Sequence, residues 1–127
     1  VAAMHRAVCA AQDAAFRRLR VGARLDRVHG AACAVFRRRG YAVPERGQEL
    51  RARYLHSTGH GVGLAIHESP SLAFDRPYLL SPGDVITVEP GLYYHDEGGV
   101  RLEDLVVVTD QGPRLLSNLP RELTVIP

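Results

Sequence analysis

Val85-Ile86-Thr87-Val88-Glu89-Pro90-Gly91 is the stretch on which the fold turns. Four β-branched side chains in a row favour a strand, because a branched Cβ is stiff and packs well on a pleated surface. Pro90-Gly91 cannot continue a ladder normally, since proline donates no backbone hydrogen bond. A second β-branched run, Leu105-Val106-Val107-Val108-Thr109, lies downstream, with the turn-forming Asp96-Glu97-Gly98-Gly99 between the two. The pattern predicts strands over 85–94 and 100–109, a turn at Asp110-Gln111-Gly112 and a short edge strand over 114–116. Ser81-Pro82-Gly83 marks the loop before the first run.

Upstream the period changes. Met4, Val8, Ala11, Ala15 and Leu19 recur every three or four residues, the spacing of one helix face, until Gly22 breaks the run. Leu25, Val28, Ala32, Val35 and Phe36 mark a second amphipathic helix, ended by Gly40. Residues 41–58 have no clear period and read as loop, with a short helical turn allowed over 48–55. Helices first, then an antiparallel meander, indicate an α+β fold.

At 127 residues, with 46% hydrophobic and 24% charged residues, the chain has the profile of one globular domain or part of one. No apolar run approaches the ~18 residues of a membrane span, and no signal-peptide pattern opens the chain. Net charge is only +2, and all 16 basic residues are arginine. Arg17-Arg18-Leu19-Arg20 and Arg37-Arg38-Arg39 sit at the ends and polar faces of the two helices, where cations offset the helix dipole, so no nucleic-acid surface is expected. Cys9 and Cys33 fall in helical stretches and read as small core residues in a reducing compartment, the cytoplasm.

The chemistry-bearing residues crowd between 56 and 103. His56, His60 and His67 lie within 12 positions, with Gly59, Gly61 and Gly63 interleaved. Glycine on both sides of a histidine lets the backbone approach a ligand closely. Glu89 ends a β-branched strand, and Glu103 shares a strand face with Arg101 two residues earlier. Imidazole plus carboxylates is a mixed N/O donor set suited to Mn²⁺, Zn²⁺, Fe²⁺ or Co²⁺. Ser69-Pro70 after His67-Glu68 rules out a helical His-Glu-x-x-His zinc motif. His5, His29 and His95 carry no motif and are expected at the surface.

The block His56-Ser57-Thr58-Gly59-His60-Gly61-Val62-Gly63, followed by His67-Glu68-Ser69-Pro70, resembles the signature of the pita-bread-fold metallopeptidases. Thr87-Val88-Glu89-Pro90-Gly91-Leu92-Tyr93 and Val100-Arg101-Leu102-Glu103-Asp104 match the next blocks in order, and the wording around His56 and Arg101 is closer to the Xaa-Pro aminopeptidase and Xaa-Pro dipeptidase branch than to methionine aminopeptidase. The resemblance implies a hydrolase of Xaa-Pro bonds in small peptides, working through a hydroxide activated by two divalent metal ions, Mn²⁺ first and Zn²⁺ or Co²⁺ as alternatives. It implies metal ligation by His60, Glu89 and Glu103, with Glu103 bridging both ions and Glu89 also shuttling the proton. It further implies that His67 contacts the substrate carbonyl, that His56 places the substrate near its proline, that Arg101 holds Glu103, and that Tyr93 lines the pocket. A homodimer is compatible with it.

The family also uses two aspartates from a strand pair ahead of its first conserved helix, and here that helix opens the chain. Asp13, Asp26, Asp75 and Asp84 are wrongly placed to replace them. The expectation is therefore a single unit over 1–127, the C-terminal part of a metallopeptidase catalytic domain, inactive alone and with exposed apolar surface where the missing part would pack. A metal-free peptide- or protein-binding module on the same fold would have little reason to keep His60, Glu89 and Glu103 together. A creatinase-like hydrolase would be expected to alter the carboxylates.

Overall fold

The computed structural model describes residues 1–43, 56–74 and 77–126, so the helical turn anticipated over 48–55 lies outside the described residues. Met4, Ala7, Val8, Ala11 and Ala15 form the buried stripe of α1 (Ala2–Phe16); Leu25, Val28, Ala32, Cys33, Val35 and Phe36 form that of α2 (Leu25–Arg38). The first helix stops short of the spacing that runs to Leu19. The amides of Arg18 and Leu19 turn back onto the carbonyls of Ala15 and Phe16, and Leu19 is buried from that turn. Gly40 takes φ 80°, the left-handed conformation that ends α2 as expected.

Neither helix has a side-chain N-cap bond. A cap is worth about 1 kcal/mol, whereas each large apolar side chain taken out of water contributes roughly 1.5–3 kcal/mol. Packing, not capping, holds the pair.

The strands are β1 (His60–Gly61), β2 (Glu68–Ser71), β3 (Val85–Val88), β4 (Gly91–Tyr94), β5 (Gly98–Arg101), β6 (Asp104–Thr109) and β7 (Gly112–Leu115). Five form an antiparallel sheet in the order β2-β1-β3-β6-β7, and β4-β5 form a separate hairpin. The strand anticipated over 85–94 is thus two strands, as is that over 100–109. The interruption falls at Glu89-Pro90 on one side and Leu102-Glu103 on the other, where Pro90 has no N–H to give the ladder. The edge strand is β7, starting two residues before the position read from sequence. Strands β1 and β2 were not anticipated, being short and built from His, Gly, Glu, Ser and Pro.

The helix pair covers both sheets. Met4, Val8, Ala11, Val35 and Phe36 pack with Leu92 of the hairpin, while Ala15, Leu19, Leu25 and Val28 pack with Leu72, Ile86, Val88, Val106 and Val108 of the larger sheet. Apolar side chains also stand exposed, among them Leu64, Ile66, Leu119, Val125 and Ile126. Among the described residues no helix is long and apolar enough to cross a membrane.

Candidate metal centre

Register brings the two carboxylates together. Val88 pairs with Asp104 at the end of the β3–β6 ladder, and Gly91 pairs with Arg101 where the β4–β5 ladder begins. Carrying that register across the break sets Glu89 opposite Glu103. Like charges directly opposite each other repel, so such a pair needs a cation. Arg101 supplies one, its Nε lying 4.0 Å from Glu89 Oε2 and 3.8 Å from Glu103 Oε2. The expected partnership of Arg101 with Glu103 is present, and the arginine reaches Glu89 as well. With Arg101 half exposed, this pairing is screened and contributes little to stability.

His60 arrives from the neighbouring strand. Its backbone N–H donates to Thr87 Oγ1 at 3.0 Å, and that hydroxyl donates to Glu89 Oε1 at 3.1 Å. Thr87 therefore ties the histidine's strand to the carboxylate. It stands two residues before Glu89 and so on the same strand face, a signal that was legible but unread. His60 Nδ1 faces the Gly61 carbonyl at 2.8 Å and must donate to it, because a carbonyl only accepts. Its Nε2 then faces Glu89 Oε1 at 3.2 Å. In the neutral ring these are two lone pairs aimed at each other, an arrangement stable only with a proton or a metal cation between them.

The glycines flanking His60, expected to admit a ligand closely, here admit the backbone of the neighbouring strands. A Cβ on Gly59 would stand 1.9 Å from the Thr87 carbonyl oxygen, and one on Gly61 would stand 2.0 Å from that of Ser69. Only bare backbone lets β1 pass this near to both neighbours.

The remaining candidates line one region. His67 is exposed and packs edge-on to His60, ring centroids 4.6 Å apart. Both border an open cleft of about 560 Å³ with Ser57, Glu68, Pro70 and Tyr78. His56 Nδ1 donates to the Ser57 carbonyl, leaving Nε2 to accept the Tyr93 hydroxyl proton at 2.9 Å. Burial pushes the Tyr93 phenol above its ordinary range, opposed by the nearby Arg101 guanidinium, so the hydroxyl stays protonated and remains a donor.

His29 is a correction. Expected at the surface, it is buried, its Nδ1 2.7 Å from Thr58 Oγ1 and its ring edge-on to Phe74. Thr58 in turn accepts the Glu89 backbone N–H at 2.7 Å, so α2 props the site from behind. His5 is half-buried, with Nε2 donating to the Arg121 carbonyl, while His95 is exposed as expected. Cys33 is buried, which raises its thiol to about 12. Asp13 pairs with Arg121 and Asp26 with Arg24, Asp84 accepts from Tyr78 and the Ser81 amide, and Asp75 lies outside the described residues.

Among the described residues, no three His, Cys, Asp or Glu side chains converge tightly enough to hold a metal ion. The donor chemistry fits one nevertheless: an imidazole lone pair and a carboxylate at 3.2 Å, with a second carboxylate across the strand break. Arg101 lies beside both carboxylates at this break.

Residues 1–110 match the family model described as metallopeptidase family M24. The chain belongs to this family. Among M24 relatives, a probable dipeptidase PepE of Mycobacterium tuberculosis is 38% identical over 117 residues, covering 92% of this chain and 29% of its own length. The crystal structure of dipeptidase PepE from Mycobacterium ulcerans superposes with a TM-score of 0.86 at 35% identity, over 98% of this chain and 31% of that one. An X-Pro aminopeptidase from Thermotoga maritima gives a TM-score of 0.84 at 34% identity, over 97% and 32%. The anticipated pita-bread architecture is thus the fold this M24 chain shares, and the chain spans about a third of the length of these relatives.

Proposed function

We propose that this chain carries one side of a dinuclear metallopeptidase centre that hydrolyses Xaa-Pro bonds in small peptides. The observation that carries the reading is the meeting of His60 Nε2 with Glu89 Oε1 at 3.2 Å, on the edge where Glu89 faces Glu103. In this reading His60, Glu89 and Glu103 would be the ligands. The other two ligands are aspartates of a segment preceding these residues, which makes the chain the C-terminal part of the catalytic domain. Mn²⁺ is the leading ion, and Zn²⁺ or Co²⁺ would suit the same donors. When bound, such ions supply Lewis-acid polarisation and acidify water into a nucleophile.

The chain's own residues do the rest. Glu89, held by the Thr87 hydroxyl, accepts the proton that the nucleophile gives up and passes it to the leaving amine. His67, exposed on the cleft beside His60, donates to the substrate carbonyl oxygen as negative charge develops there. His56 and Tyr93, locked together by their hydrogen bond, form the wall against which the substrate's proline packs. Arg101, its Nε 4.0 Å from Glu89 and 3.8 Å from Glu103, orients both carboxylates. The two free thiols fit a cytoplasmic setting, and a homodimer is compatible with the assignment.

Calorimetric titration with Mn²⁺ tests this. The chain alone is expected to bind a single ion, weakly, and to leave an Ala-Pro dipeptide uncleaved, because three ligands on one side cannot hold two ions. Two tight sites would contradict the assignment of missing ligands to another segment.

A further inference from the structure

Gln12 is a fully buried polar residue in the apolar face of α1, far from the motifs in sequence. Its side-chain nitrogen donates to the Val88 carbonyl at 3.0 Å, to Asp104 Oδ2 at 3.0 Å and, more weakly, to the Leu102 carbonyl at 3.4 Å. Val88 immediately precedes Glu89, while Leu102 and Asp104 flank Glu103. One amide on one helix thus grips the backbone on both sides of the break where the two carboxylates face each other. Asp104 is fixed from its other oxygen by the Ser117 hydroxyl at 2.5 Å, so the clamp itself cannot swing.

Two features argue that this is more than space-filling. The two ladders stop at the break, so no strand-to-strand pairing holds Glu89 at a set distance from Glu103. And Gln12 Oε1 is buried without a hydrogen-bond partner among the described residues, a cost that an apolar side chain of the same size would avoid. The three acceptors also fix which end of the amide is nitrogen, since a reversed amide would aim oxygen at three oxygens.

We propose that Gln12 is a positioning residue that sets the separation of Glu89 and Glu103 and so the affinity of the centre for a divalent cation. This rests on the assignment of those two carboxylates as ligands. Gln12→Leu keeps the volume and removes the donor; Gln12→Met, with a more adaptable side chain, serves if the leucine variant does not fold. Val8→Ala, a core truncation on the same helix, is the control for a purely structural loss.

Mn²⁺ affinity by calorimetry and the backbone amide resonances of Glu89 and Glu103 without metal are read together. The expected result is an affinity roughly 10–100-fold weaker in the Gln12 variant, the usual effect of losing a group that orients a ligand. Val8→Ala should stay near the parent, and the Glu89 and Glu103 resonances should move only in the Gln12 variant. Unchanged affinity with unmoved resonances, or an equal loss in Val8→Ala, overturns the proposal. If the unsubstituted chain binds no cation, the ligand assignment fails, and the resonances still decide: movement specific to the Gln12 variant upholds the positioning role, and its absence overturns it.

Discussion

Replacing Glu89 with glutamine is expected to abolish cation binding while leaving the metal-free chain as stable as before or slightly more so. Glu89 is buried, faces Glu103 across the strand break and presents an oxygen to the His60 Nε2 lone pair. Glutamine keeps the shape, removes one of two opposed negative charges and can donate an N–H to His60. An ordinary structural carboxylate would behave in the opposite way, since its loss would remove a favourable hydrogen bond and lower Tm. With cation at a hundredfold excess over its Kd, the unsubstituted chain gains about 2.7 kcal/mol of stability, or roughly 10 °C in Tm for a chain of this size. The glutamine variant should show no such gain. Glu103→Gln should weaken binding less severely, because Glu103 is the more exposed of the two carboxylates and Glu89 is the one that meets His60. Thermal melts of the variants with and without Mn²⁺ check both statements.

Gly59→Ala is expected to cost about 3 kcal/mol, the upper end of ordinary overpacking, and to lower Tm by roughly 10 °C. The new methyl would fall 1.9 Å from the Thr87 carbonyl oxygen, and that carbonyl belongs to β3 between two paired strands. A backbone atom in mid-sheet cannot rotate away as a side-chain tip can. Displacing β1 would also draw the His60 amide off Thr87 Oγ1 and carry Nε2 away from Glu89, so metal response should fall with stability. Gly30→Ala supplies the internal contrast. Gly30 lies inside α2, where a Cβ would make only ordinary contact with Phe74 at 3.8 Å. Alanine there should stabilise by about 0.5–1 kcal/mol through its higher helix propensity. Denaturant unfolding of the two variants should therefore give shifts of opposite sign.

The helices were legible because Met4, Val8, Ala11 and Ala15, and then Leu25, Val28, Ala32 and Phe36, repeat at helical spacing and do face the core. The strands were legible because β-branched runs have few other uses. What sequence could not supply was the break. Pro90 announced an interruption, but only pairing shows that Leu102-Glu103 interrupts the other strand at the same level, and that coincidence is what opposes the carboxylates. Strands β1 and β2 were invisible because their pairing comes from bare backbone passing between neighbours, which leaves no apolar pattern.

The supporting residues were missed for a different reason. Gln12 and His29 sit at core-facing helical positions, each four residues after a buried apolar residue, Val8 and Leu25. A polar side chain on an apolar stripe was the available signal. Its meaning depends on partners distant in sequence: Gln12 spans 92 positions to Asp104 and His29 spans 29 to Thr58. Such pairings exist only once the chain is folded.

Anomalous diffraction from crystals of this chain soaked in Mn²⁺ bears most directly on the claim that an imidazole and two carboxylates share a cation. The result predicted is a peak beside His60 Nε2 and a Glu89 carboxylate oxygen, with Glu103 turned toward it. Well-ordered His60, Glu89 and Glu103 side chains with no peak among them, at a Mn²⁺ concentration that saturates the chain in solution, would contradict it.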